Sequence, residues 1–158
     1  MITVIQGLKR IKHLLRKIET TQGRIARWCS YTNDEEPLYT DINALIQSAN
    51  DMQAEVGKIR HAIHKLNATT VVTFKDKETT LDELLIEATV NIPVRIATLK
   101  TLRRKEKNGY MHNAKQEVKV ILQYDPHKRD KDLDALIELQ SDINDFIDIM
   151  NIQLELPM

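Results

Sequence analysis

Apolar residues recur at alternating spacings of three and four over three long stretches, and that period leaves few folds open. In the first stretch Val4, Leu8, Ile11, Leu15, Ile18, Gln22, Ile25 and Cys29 keep it. In the second it is kept by Leu38, Ile42, Leu45, Ala49, Met52, Val56, Ile59, Ile63 and Leu66, and in the last by Leu133, Leu136, Gln140, Ile143, Ile147, Met150 and Leu154. A stripe of this kind is the seam of a coiled coil. It predicts helices over about 3–30, 37–67 and 130–152. The first two read as an antiparallel hairpin roughly 40 Å long, at 1.5 Å of rise per residue. Pro37 suits the first turn of the second helix, where its missing N–H is no loss. Gly57 lies beside the seam and is expected to permit close approach, and Cys29, on the seam, is expected to be a buried, inert thiol.

Between the second and last helices the period changes. Thr69–Phe74 is β-branched and aromatic and reads as a short strand, with Lys75 to Glu78 as its turn. Thr80 and Glu83 have the spacing of a capping box and open a helix over about 81–107, which Pro93 is expected to kink. Asn108-Gly109 is a turn signal. Val118, Val120, Leu122 and Tyr124 then alternate with Glu117, Lys119 and Gln123, which predicts a strand over about 117–124, closed by Asp125-Pro126. A lone strand leaves its backbone groups without partners, so the two strands are expected to pair as a small two-stranded ribbon. The fold class is mainly α: a single helical domain over 1–158, a coiled-coil bundle with one small β-ribbon. Its apolar positions outnumber what one hairpin covers, which points to a homo-oligomer, a dimer or a higher even assembly.

Charge bounds the partners. The chain carries 23 basic and 23 acidic residues, which argues against a generic nucleic-acid binder. The balance is uneven, however. Residues 1–30 hold seven basic residues against Glu19, and residues 130–158 hold eight acids against Lys131. That complementarity fits end helices lying side by side. One cysteine permits no intrachain disulfide, and no cationic start leads into a long apolar run. The expectation is a cytoplasmic protein with no membrane partner (host cytoplasm, if phage-encoded).

Catalytic and metal-binding chemistry find little support. His61 and His64 share a helix face but lack further soft ligands, so they read as surface residues. No phosphate loop, nucleophile elbow or metal motif is present, and neither a catalytic residue, a metal nor a cofactor is assigned. The stretch with ligand chemistry is the cationic, aromatic corner of Arg103, Arg104, Lys107, Tyr110, His112 and Lys115. Guanidinium groups grip phosphate and Tyr110 can stack on a base. The competing explanation is a solvated helix terminus, where cations favour the negative end of the helix.

Four pieces of the chain, in order, carry a likeness: Ile63-His64-Lys65-Leu66-Asn67-Ala68-Thr69-Thr70; Thr79-Thr80-Leu81-Asp82-Glu83-Leu84-Leu85; Tyr110 leading through Lys115-Gln116-Glu117-Val118-Lys119 to Tyr124-Asp125; and Leu139 to Ile143 followed by Ile149 to Leu156. On these it resembles the septicolysin-like family of small helical bacterial and phage proteins. That family commonly has a Tyr-Ser-Arg-like sequence where this chain has Tyr110-Met111-His112, and often Trp at the place of Ile152. The resemblance implies a helical fold and self-association more than an activity. The expected function is a non-enzymatic protein holding a nucleotide-like ligand between protomers, by which a phage anti-defence sponge would sequester a signalling nucleotide. The other classes left open are a structural or protein-interaction coiled coil without a small ligand and, more weakly, a membrane-active cytolysin-like protein.

Overall fold

The computed structural model describes residues 2–105 and 119–157. The chain runs β1 (Ile2–Thr3), α1 (Val4–Trp28), α2 (Ile42–Thr69), β2 (Val71–Phe74), β3 (Lys77–Thr80), α3 (Leu81–Ile86), a π-helical turn (Glu87–Asn91), α4 (Ile92–Lys100), α5 (Pro126–Gln153) and β4 (Glu155–Leu156). It divides into two compact units, Met1–Asp82 with Asp148–Met158, and Glu83–Ile147. No helix among the described residues is long and apolar enough to cross a membrane.

The first unit is built on α1 and α2. Thr3 opens α1 with a reciprocal cap: its hydroxyl accepts from the Gln6 N–H, and its own N–H donates to Gln6 Oε1 at 3.0 Å. The two helices run antiparallel. Gly7 faces Ile59 and Ile63, Arg10 pairs with Glu55, and Arg24 lies 5.6 Å from the Tyr39 ring just before α2. Their seam buries Val4, Ile11 and Leu14 against Val56, Ile59 and Ala62, and Leu156 of β4 joins the same cluster. Each large aliphatic side chain buried there contributes about 1.5–3 kcal/mol. β1 and β4 pair antiparallel, Ile2 opposite Leu156 and Thr3 opposite Glu155. The Val4 N–H donates to the Leu154 carbonyl at 3.0 Å, so the clasp runs straight into the start of α1.

Several sequence expectations are corrected here. The α1 seam follows Val4, Gly7, Ile11, Leu14, Ile18 and Thr21, not the set containing Leu8, Leu15, Gln22 and Cys29. Leu8 and Leu15 are 44% and 39% exposed, and Cys29 is exposed. The small residues decide the phase: Gly7 admits Leu156, and Thr21 satisfies its hydroxyl on the Lys17 carbonyl at 2.9 Å, so both can sit at a close contact. Gly57 lies over open space with nothing within 4 Å, so the close-approach glycine is Gly7.

α2 starts at Ile42 rather than 37. Asp41 caps it by accepting from the Ala44 N–H at 3.0 Å, and Leu38 stays 72% exposed in the preceding loop. Beyond that start the expected seam holds, with Ile42, Leu45, Ala49, Met52, Ile63 and Leu66 half-buried and Val56 and Ile59 buried.

The ribbon is real but its partner is different. Val71–Phe74 pairs with Lys77–Thr80, Val71 opposite Thr80 and Phe74 opposite Lys77. Lys75 and Asp76 turn the chain with φ of 48° and 61°, two left-handed residues in succession, which is the geometry whose twist matches a tight hairpin. Residues 119–124 are not strand, and residues 117 and 118 lie outside the described residues. The backbone demand of β2 is met locally, so a distant partner is not needed.

Two glycines in one helix pair give opposite expectations. A Cβ at Gly7 would stand 2.6 Å from Leu156 Cδ1 and 3.3 Å from Ile59 Cγ2, both on fully buried side chains. Gly7→Val should therefore lower stability in urea unfolding by about 2 kcal/mol, the ordinary scale of overpacking. Gly57→Ala should raise it by about 0.5–1 kcal/mol, because an exposed helical site gains helix propensity and meets nothing.

Candidate ligand-binding corner

The second unit sets the end of α4 beside the start of α5. The helix expected over 81–107 is three pieces and ends at Lys100. Its irregularity follows from Pro93, which has no N–H for a regular bond and whose ring crowds the preceding turn. The chain widens into a π turn ahead of it, and the Ile92 N–H donates to the Glu87 carbonyl. That register leaves the Ala88 carbonyl without its ordinary partner. Ile92 has gone to Glu87, and the next residue along, Pro93, has no donor. Gln140 of α5 supplies one: its Nε2 donates to the Ala88 carbonyl at 2.7 Å. A polar residue on the apolar stripe of α5 is thus explained by a defect in its neighbour. Among the described residues of this unit, Leu84, Ala88, Ile92, Ile143 and Ile147 are the buried apolar side chains.

The C-terminal end of α4 is finished by tight turns, Thr101 N–H to the Thr98 carbonyl and Leu102 N–H to the Leu99 carbonyl, each at 3.1 Å. The Leu102 carbonyl then accepts from Arg129 Nη1 at 2.8 Å. Arg129 is held on three sides. It also pairs with Asp130 at 2.7 Å, and its guanidinium lies 5.6 Å from the Tyr124 ring centre. Helix α5 begins earlier than the expected 130. Asp125 accepts from the N–H groups of His127 and Lys128 at 2.9 and 3.3 Å, and Pro126 occupies the first turn. Asp125-Pro126 is therefore a helix start, the pairing of a capping acid with a proline that needs no N–H partner.

Arg103 and Arg104, two of the six expected ligand residues, follow directly from the pinned Leu102 and are exposed, as is Lys105. None of the three has an ion-pair partner among the described residues. Arg103 also lines a shallow groove with Ala97, Lys100 and Thr101. Lys107, Tyr110, His112 and Lys115 lie outside the described residues. The residues that sequence reasoning missed are Arg129, Tyr124 and Lys100. The signal for Arg129 was available: it stands four residues after the capping Asp125, at the first turn of a helix that had been read as the end of a strand.

A second groove, about 540 Å³, runs between α4 and α5. Val94, Thr98 and Leu99 face Ala135, Leu136 and Leu139 across it, with Arg95 and Asp132 as its charged members. Arg95 is already paired with Glu87 at 3.0 Å. This groove is apolar and open, suited to hydrophobic contact rather than to a phosphate. Among the described residues no three His, Cys, Asp or Glu side chains gather to hold a metal ion.

Residues 12–156 match the model of a family described as a family of unknown function, DUF6847. No curated protein and no solved structure matches the chain.

The Gln140–Ala88 bond makes a coupling testable. Gln140→Met strands a buried carbonyl and should cost about 1–3 kcal/mol in denaturant unfolding. Pro93→Ala restores the missing N–H and lets the turn return to regular helix. In that background the cost of Gln140→Met should shrink by at least half, giving a clear coupling energy in a double-mutant cycle.

Proposed function

We propose that this chain, which belongs to the DUF6847 family, is a non-enzymatic binding protein that holds a small phosphorylated, nucleotide-like ligand at the interface between copies of itself. The observation that carries this reading is the pinned corner. Arg129 fixes the Leu102 carbonyl at 2.8 Å, so Arg103 and Arg104 leave a firm root and remain free for an anion. Guanidinium forks then select phosphate oxygens by paired N–H donors.

Self-association is supported by apolar surface on the same unit. Val94 and Ile137 are 61% and 50% exposed on the helices that flank the corner, and Val90 is 52% exposed in the π-helical turn before α4. A copy packed there would cover them and close the corner from solvent. Sequestration of a signalling nucleotide, as by a phage anti-defence protein, is the use most in keeping with a small self-associating binder that carries no recognisable catalytic motif. The second reading is a protein-interaction module. The groove of Val94, Leu99, Leu136 and Leu139 favours it, since an apolar helix face would fit there without any small ligand.

Thermal melting with a panel of mono-, di- and cyclic nucleotides separates the two. A ligand at a hundredfold excess over its Kd stabilises the folded state by about 2.7 kcal/mol, which raises the melting temperature by several degrees in a chain of this size. Arg103→Glu with Arg104→Glu should abolish the rise while leaving the melting temperature and solution mass of the free protein unchanged. No rise with any phosphorylated compound would leave the protein-interaction reading in its place, and a drop in mass on charge reversal would make the corner an assembly element.

A further inference from the structure

Cations concentrate at one end of the first unit, interrupted there by Glu55, which Arg10 pairs, and by Glu155 of β4 opposite Thr3. Lys9, Arg10, Lys12, Arg16 and Lys17 occupy the first half of α1, and no acid stands between Val4 and Ile18. The antiparallel hairpin lays this segment along the C-terminal half of α2, because Gly7 faces Ile59 and Ile63. That half carries Lys58, Arg60 and Lys65, together with His61 and His64, and holds no acid from Val56 to Thr69. All of these basic side chains are exposed. Lys58, His61 and Lys65 further line a groove of about 410 Å³ closed by Ala62 and Pro157. The even charge balance of the whole chain hides this concentration of cations, which forms once the two helices are paired.

Helix stability does not account for it. Lys9, Lys12 and Arg16 stand three and four apart, where like charges repel. Among the described residues Arg10 pairs at this end with Glu55, whose hydrogen bond and charge hold the guanidinium pKa above its ordinary value. A surface that loses stability by its own charge is suited to a polyanion that removes the repulsion.

We propose that this face binds the phosphate backbone of duplex nucleic acid without sequence preference. Lys9 to Lys17 spans about 12 Å of helix, over which a duplex presents about seven phosphate charges. The two segments contain no Phe, Tyr or Trp, so there is no platform on which unpaired bases would stack. Val4, Ile11, Leu14 and Ile18 of α1 are spent on the seam, and the exposed Leu8 and Leu15 stand a heptad apart as two single side chains, too little apolar surface to insert into lipid. Backbone contact to a duplex is the use that remains, and the site is separate from the Arg103–Arg104 corner.

Fluorescence anisotropy with a labelled, mixed-sequence DNA duplex of about two helical turns tests this. Binding should be micromolar at low salt and should weaken by roughly two to three orders of magnitude between 50 and 200 mM salt, as release of counterions from about five phosphates requires. Lys12→Glu with Arg16→Glu, and separately Lys58→Glu with Lys65→Glu, should each weaken binding at least tenfold and flatten the salt slope by about two. Melting temperature should hold or rise, since repulsion is relieved. Should a reversed pair fail to fold, Lys12→Gln with Arg16→Gln gives the same direction with a smaller loss. Arg103→Glu with Arg104→Glu should leave duplex binding intact, which keeps this result independent of the nucleotide reading. The proposal is overturned by no anisotropy change at 50 mM salt, by affinity unaffected in both α1 and α2 variants, by tighter binding to the single strand, or by binding only to phosphatidylserine vesicles.

Discussion

Leu156, fully buried over Gly7 and beside Ile59, is the contact on which the first unit depends. It comes from the far end of the chain and lands where α1 has no side chain. The geometry leaves no choice of residue on either side: a Cβ at position 7 would overlap the leucine, and a smaller residue at 156 would leave a void among Val4, Val56 and Ile59. The contact does more than fill space. It decides which face of α1 points inward, and with it the phase of the seam for the following turns. The β1–β4 pairing and the Val4–Leu154 bond hold the strand that carries Leu156 in place, so backbone and side-chain terms act together.

From that phase follow the exposed surfaces. With Gly7, Leu14 and Thr21 turned in, Leu8, Leu15 and Cys29 are turned out, and the cations of α1 share one end of the hairpin with those of α2. The second unit solves a different problem by a similar route. A proline breaks the helical ladder, and a glutamine from a neighbouring helix repairs it. Farther along, an arginine from α5 pins the end of α4 at Leu102, which roots the corner proposed to hold phosphate. In each case a local irregularity is made tolerable by a residue distant in sequence.

That pattern explains what was legible in the sequence. The α2 seam from Ile42 to Leu66 was readable because large apolar residues stand at nearly every inner position and no rival phase competes. The α1 seam was readable at Val4, Ile11 and Ile18 but not at the positions between them, because Leu8 and Leu15 make a better stripe by composition than Gly7 and Thr21, and only Leu156 decides between them. Val71–Phe74 was readable as a strand from its β-branched residues. Its partner was missed because Lys77-Glu78-Thr79-Thr80 has no apolar alternation and reads as turn and helix cap. Pro93 announced a disruption but not its repair by Gln140. Asp125-Pro126 was legible as a helix start and was misread because an alternating run precedes it. Of the six corner residues, Arg103 and Arg104 are exposed but lie beyond the end of α4 at Lys100 rather than inside the expected helix, and the supporting Arg129 belongs to a tertiary contact that no local pattern contains.

The Leu156 contact is open to direct measurement. Leu156→Ala should lower the unfolding free energy by about 2–5 kcal/mol in urea, because it removes a side chain from a closed site that cannot collapse. Leu154→Ala, at a half-buried neighbour, should have a distinctly smaller effect. A loss below about 0.5 kcal/mol for Leu156→Ala would contradict the account, since the seam, the phase of α1 and the gathering of charge at one end would then be set by something else.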